Sequence, residues 1–196
     1  DYAMGYNPEN RMPLWVKPSK KISPKEVFDA MRDHFEGTPM DMTADIGAGG
    51  SACPYRWRPM EWEWEGETYV NERATATQQT GVDDAATSAL TPIYCGTTEV
   101  PPCFSEENGS LLEYSDTAAF WIFNRVAQFA YLRYNVIGKA VRENVDAWEN
   151  EMLLKVQEFD EKVMHSNMSH NRMIREATRF SVENAKRLFD QWKTLD

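Results

Sequence analysis

The chain has 196 residues and a formal net charge of −10, with 42% hydrophobic and 27% charged residues. That length and balance suit a globular domain with a sizeable core, whereas the acidic excess and the lack of a Lys/Arg cluster exclude nucleic acid as a partner. No apolar run approaches the roughly 18 residues of a membrane span.

The opening stretch DYAMGYNPENRMPLW has no initiator Met, no basic n-region and no signal-peptide core. It reads as a chain entered midway: a short helix end, an Asn-Pro turn and a Pro13-Leu14-Trp15 strand. Ser23-Pro24-Lys25-Glu26 then opens a helix, with Ser23 as cap, Pro24 at the first helical position and Glu26 closing a capping box. Val27, Met31 and Phe35 repeat at helical spacing, and Gly37 and Pro39 are expected to end the helix.

Asp41 to Arg58 is irregular, with Gly47, Gly49, Gly50 and Pro54. Glu61 to Glu65 alternates charged and aromatic residues, Gly66-Glu67 is expected to turn, and Thr68 to Thr80 to return as the second strand of a hairpin. In that strand Tyr69, Asn71, Arg73, Thr75, Thr77 and Gln79 share one face and Val70, Glu72, Ala74, Ala76 and Gln78 the other. Neither face is apolar, which suits a strand lining a polar site.

A short strand is expected over Pro92–Cys95. Ser115-Asp116 is expected to cap a helix with Phe120, Phe123, Ala127 and Tyr131 or Tyr134 on its inner face. Helical periodicity continues, with a break near Asn135–Gly138, to about Met164. After a polar connection at Ser166–Asn171, a last helix runs from about Arg172 to Leu195, with Ile174, Phe180, Leu188, Phe189 and Trp192 inward. The expected architecture is α+β over residues 1–114, followed by a helical hairpin over residues 115–196.

The residues that bear chemistry are scattered. Cys53, Cys95 and Cys103 do not make a disulfide framework, and Cys95 and Cys103 are either bridged across a loop or left as free buried thiols. No Cys/His spacing suits zinc, and His34, His165 and His170 lie far in sequence from any nucleophile. Arg56 and Arg58 flank Trp57 on one side of an extended segment. They suit either bidentate capture of a carboxylate or salt bridges to Glu61 and Glu63. Asn71-Glu72-Arg73 sets an amide, an acid and a base within a strand, where unpaired charge is costly, so it marks an exposed edge or a site. Asp83-Asp84 reads as a helix cap, surface charge or metal ligands.

Several segments nonetheless resemble one family. They are Met31-Arg-Asp-His-Phe-Glu-Gly-Thr-Pro-Met-Asp-Met42, Pro54-Tyr-Arg-Trp-Arg-Pro59, Val70-Asn-Glu-Arg-Ala74 with Thr77-Gln-Gln-Thr-Gly81, Val82-Asp-Asp-Ala85 with Thr91-Pro-Ile-Tyr94, and Ala119-Phe-Trp-Ile-Phe-Asn124 with Phe129-Ala-Tyr-Leu-Arg-Tyr-Asn135. In this order, over roughly two-thirds of the chain, they are similar to the C-terminal portion of bacterial cysteine dipeptidases of the N-terminal-nucleophile (Ntn) hydrolase class, dipeptidase A type.

The resemblance implies part of an αββα sandwich, no metal or organic cofactor, and a nucleophilic cysteine at the N-terminus of a mature protein, upstream of what corresponds to Asp1. The chain alone is then expected to be inactive, with the missing N-terminal part as its partner. A dipeptide presents a free amine and a free carboxylate. Arg56, Arg58 and Arg73 are candidates for the carboxylate, Glu72 or Asp83 for the amine, and Asn71, Gln78 and Gln79 for orientation. The chain departs from the family at Gly81-Val82, where a longer apolar segment is expected, so residues are either deleted or missing there. A homo-oligomer is compatible with the sequence, as are both cytoplasmic and exported locations. A reading from another class is a non-catalytic interaction module that docks a partner through the helical hairpin.

Overall fold

A computed structural model describes residues 13, 15–33, 35–39, 41–44, 50, 52, 61–70, 89–105 and 112–196. The chain divides into two compact units, Asp1–Met31 and Arg32–Asp196.

In the first unit, helix α1 spans Pro24–Met31. Its capping box is complete: Ser23 Oγ and the Ser23 amide each donate to Glu26 Oε2 at 2.9 Å, and the Glu26 amide donates to Ser23 Oγ at 3.3 Å. Lys20 Nζ lies 2.6 Å from Glu26 Oε1. The Lys20 hydrogen bond, followed by those from Ser23, lowers the Glu26 carboxyl to about 2. A carboxyl lowered on folding stabilises fully above its unfolded pKa, near 4.3, and the contribution is lost as pH falls toward about 2. Protection of the α1 amides should therefore hold from pH 7 to pH 5 and decline toward pH 2, and Glu26→Gln should abolish that decline. Hydrogen exchange read by NMR checks this.

α1 is shorter than its sequence pattern implies. It ends at Met31 rather than at Gly37, and Phe35 adopts a φ of 62° with its amide donating to Asp33 Oδ1. Pro13 and Trp15 through Pro18 form no strand.

In the second unit the hairpin pairs β1 (Glu61–Trp64) with β2 (Glu67–Val70) antiparallel, in the register Glu61↔Val70, Trp62↔Tyr69, Glu63↔Thr68 and Trp64↔Glu67. Its turn is Glu65-Gly66, one residue earlier than expected, with φ of 53° and 83°. Two positive φ values are those of a type I′ turn, whose twist matches that of the strands. Residues 71–80, the expected remainder of the second strand, lie outside the described residues.

Residues 89–105 run without a strand against the helices that follow. The strand expected at Pro92–Cys95 is not formed, because side-chain hydroxyls of the last helix take the place of a neighbouring strand. The Tyr94 amide donates to Ser181 Oγ and the Thr98 amide to Thr178 Oγ1, each at 3.1 Å. A turn of 3-10 helix at Pro102–Phe104 buries Cys103.

Helix α2 spans Ala119–Leu132, starting at N-cap Ala118 rather than at Ser115. Ser115 Oγ instead accepts the Thr117 amide at 3.3 Å, a local turn that competes with capping. The buried residues of α2 are Ala119, Ile122, Val126, Ala127 and Ala130; Ala127 is inward as expected and Phe123 packs against the core, whereas Phe120 is exposed. A π-helical turn at Tyr134–Gly138 makes the expected break and leads into α3 (Lys139–Met164). A Cβ on Gly138 would approach the Tyr134 ring to 2.7 Å. Gly138→Ala should thus cost about 1–3 kcal/mol through overpacking, read as a lower denaturation midpoint.

α3 presents Val141, Val145, Trp148 and Met152 at helical spacing, and α4 (His170–Leu195) presents Ser181, Ala185, Leu188 and Trp192. The two helices run antiparallel, as shown by the Arg187 Nη2–Glu151 Oε1 pair at 2.9 Å and the Phe159–Phe180 ring stack at 4.6 Å. Leu188, Phe189 and Trp192 point inward as expected, whereas Ile174 and Phe180 are only half-buried. With α2 and the 3-10 turn, these faces enclose the core.

Among the described residues, an ion pair lies in the core. Arg32 Nη1 and Nη2 donate to Glu149 Oε2 and Oε1, both at 2.7 Å, and the Leu90 amide donates to Glu149 Oε1 at 3.1 Å. Next along α3, Trp148 Nε1 donates to the Leu90 carbonyl at 2.8 Å. Consecutive residues of α3 thus grip both backbone groups of Leu90.

These observations overturn the expected αββα sandwich. The described residues are mostly helical, with a single two-stranded hairpin and no stacked sheets. Of the expected architecture, the C-terminal helical hairpin is present. Among the described residues, no helix is long and apolar enough to cross a membrane.

Candidate functional site

One pocket of about 330 Å³ opens where residues 89–91 pass α2, lined by Ala89, Thr91, Phe104, Ala119, Phe120, Phe123 and Asn124. Positions 119, 120, 123 and 124 of α2 adjoin on one side of the helix. Ala89 and Ala119 leave space, Phe104 and Phe120 are partly exposed, and Phe123 is fixed by a parallel stack on the buried Trp192 at 5.2 Å. Across the pocket, the grip of Trp148 and Glu149 on Leu90 sets the backbone between Ala89 and Thr91.

Among the described residues, the lining contains no charged residue. Thr91 and Asn124 bring a hydroxyl and a carboxamide, and among the described residues no group engages either side chain. An apolar cavity with a few free polar groups is the general form of a small-molecule site.

Another pocket, of about 350 Å³, lies between the end of α3 and the start of α4. Phe159, Val163 and Ile174 contribute apolar walls. Tyr94 Oη donates to Asp160 Oδ1 at 2.7 Å, and burial, followed by the Asp160 carboxylate, raises the Tyr94 phenol well above its ordinary range. Cys95 and His170 line the same pocket. The fold therefore brings a cysteine and a histidine together where the sequence separates them, a proximity that no local motif announces. The Cys95 thiol is free and exposed, and no hydrogen bond joins it to His170. Cys103 is also free, and burial raises its pKa, which keeps the thiol protonated and inert. Cys95 and Cys103 are therefore not bridged, and of these two Cys103 is the buried thiol.

All eight residues expected to bind substrate (Arg56, Arg58, Asn71, Glu72, Arg73, Gln78, Gln79 and Asp83) lie outside the described residues, as do Cys53 and His34. The structure brings together instead two of the quoted sequence segments, Thr91–Tyr94 and Ala119–Asn124, at the first pocket. Their aromatic and small residues read as core in sequence, so the free Asn124 was not anticipated. Among the described residues, no group of His, Cys, Asp and Glu side chains is placed to hold a metal ion.

A family model described as peptidase family C69 matches residues 3–147. No curated protein and no solved structure matches the chain significantly. The matched span contains every lining residue of the first pocket and ends before most of the second, whose lining comes largely from residues 159–177.

Proposed function

The chain belongs to peptidase family C69, a family of cysteine peptidases, and from that premise we propose that it is the substrate-holding portion of an enzyme hydrolysing dipeptides. The attacking thiol belongs to an N-terminal cysteine upstream of Asp1. In such chemistry the N-terminal α-amine takes the thiol proton as the sulfur adds to the peptide carbonyl, fixed donors stabilise the oxyanion, and the proton passes to the leaving amine as the C–N bond breaks. Water then releases the acyl group.

The observation that carries this reading is the family match over residues 3–147. The thiols support it. Cys103 is buried and held protonated, and Cys95 has no base hydrogen-bonded to it. Within the chain, Arg56, Arg58 and Arg73 bind the substrate carboxylate, Glu72 or Asp83 binds the amine, and Asn71, Gln78 and Gln79 orient the substrate.

The test uses the complete natural protein, its mature N-terminus identified by sequencing, with a dipeptide panel. Replacing the N-terminal cysteine should abolish turnover, Arg73→Ala should lower kcat/KM by at least tenfold, and residues 1–196 alone should be inert. Cys95 is the internal competitor, because it shares a pocket with His170. Cys95→Ala should leave turnover unchanged, and loss of activity there would move the nucleophile to that pocket.

A further inference from the structure

We infer that the pocket between residues 89–91 and α2 is a side-chain subsite, taking an uncharged apolar side chain from a peptide whose own amide group pairs with Asn124. The inference rests on the peptidase reading and names the substrate class for it. Three features of the pocket point the same way.

Among the described residues, the walls are mainly apolar and aromatic, with no charged residue. An acidic or basic side chain entering such a pocket would lose its hydration without gaining a partner. The volume of about 330 Å³ lies at the small end of ligand pockets, the size for one or two residues. Asn124 supplies the polar half. Its carboxamide offers both a donor and an acceptor, complementing the carbonyl and N–H of a peptide group. Those groups need partners when a peptide leaves water, and Asn124 has none among the described residues. The Thr91 hydroxyl rotates to serve either a donor or an acceptor. Phe120 and Phe104, both partly exposed, form the aromatic rim.

The occupant is therefore a leucine- or phenylalanine-like side chain attached to an amide. Aspartyl, glutamyl and lysyl side chains are excluded.

Two measurements on the complete protein test this independently. The first is kcat/KM for dipeptides differing in one side chain: Phe and Leu should exceed Asp and Lys by more than tenfold. Ala89→Leu, which narrows the cavity, should lower the ratio of Phe-Ala to Ala-Ala turnover by at least tenfold. That is within the roughly 10- to 200-fold that one methylene of misfit is worth. Equal turnover of apolar and charged dipeptides, or a variant that scales all substrates equally, would overturn the subsite and leave the dipeptidase reading standing.

The second measurement is direct binding of N-acetyl-phenylalaninamide by calorimetry, with N-acetyl-aspartamide as the control. Saturable binding of the first only, weakened at least tenfold by Asn124→Ala, is expected. That result with no dipeptide cleaved would keep the subsite and remove the dipeptidase reading. Failure of the phenylalanine probe to bind would remove the subsite whatever the turnover.

Discussion

Glu149→Ala should lower the free energy of unfolding by about 3–5 kcal/mol, the cost of stranding one member of a buried ion pair. The Glu149 side chain is 1% exposed and that of Arg32 is 9% exposed. Removing the carboxylate strips the Arg32 guanidinium of its bidentate acceptor and leaves the Leu90 amide unpaired as well. Each lost partner carries its own desolvation penalty. Glu149→Gln keeps one acceptor oxygen and should lose less. Urea unfolding followed by circular dichroism checks the ranking, and wild-type stability in Glu149→Ala would mean that the pair is open to water.

The second large effect is expected at Trp192. This side chain is fully buried at the seam of α2 and α4 and stacks on Phe123 with 11° between the rings. Trp192→Ala should cost about 3–5 kcal/mol through lost burial and the cavity left behind. At roughly 2–4 °C per kcal/mol for a chain of this size, the melting temperature should fall by about 6–20 °C. Trp192→Phe keeps a ring against Phe123 and should lose substantially less. Because Phe123 also lines the pocket, the alanine variant should blunt selectivity for apolar side chains even at temperatures where it remains folded. A melting temperature within 2 °C of wild type would place the centre of the core elsewhere.

What could be read from sequence was what is determined locally. The capping box at Ser23–Glu26 lies within four residues, and its hydrogen bonds are those expected. The hairpin was legible from the alternation in Glu61–Glu65, but its turn slipped by one residue because Glu65 takes a positive φ that sequence preference reserves for Asn, Asp or Gly. Pro92–Cys95 reads as a strand in sequence, but its partner, Ser181, is a hydroxyl on a helix 87 residues after Tyr94. On the face expected of α2, Ala127 and Phe123 meet the core, whereas Phe120 lines a pocket instead.

The Arg32–Glu149 pair left one signal unread. Glu149 stands four residues after Val145 and eight after Val141, on the inner side of an apolar stripe. A charge at that position demands a buried partner. The identity of the partner, 117 residues away, was not legible. The candidate site divides in the same way. The charged residues expected to hold a dipeptide's ends lie outside the described residues, whereas the apolar pocket appears only when two distant segments meet.

The grip on Leu90 makes occupancy and folding thermodynamically linked. The two residues beside Leu90 line the pocket, while Leu90 itself is tied to the centre of α3 through both backbone groups. Any ligand that favours this arrangement adds to stability by RT ln(1 + [L]/Kd), roughly 2.7 kcal/mol at a hundredfold excess over Kd. A thermal-shift screen would therefore report the pocket's ligands without any turnover, and Glu149→Ala would weaken their binding from a distance.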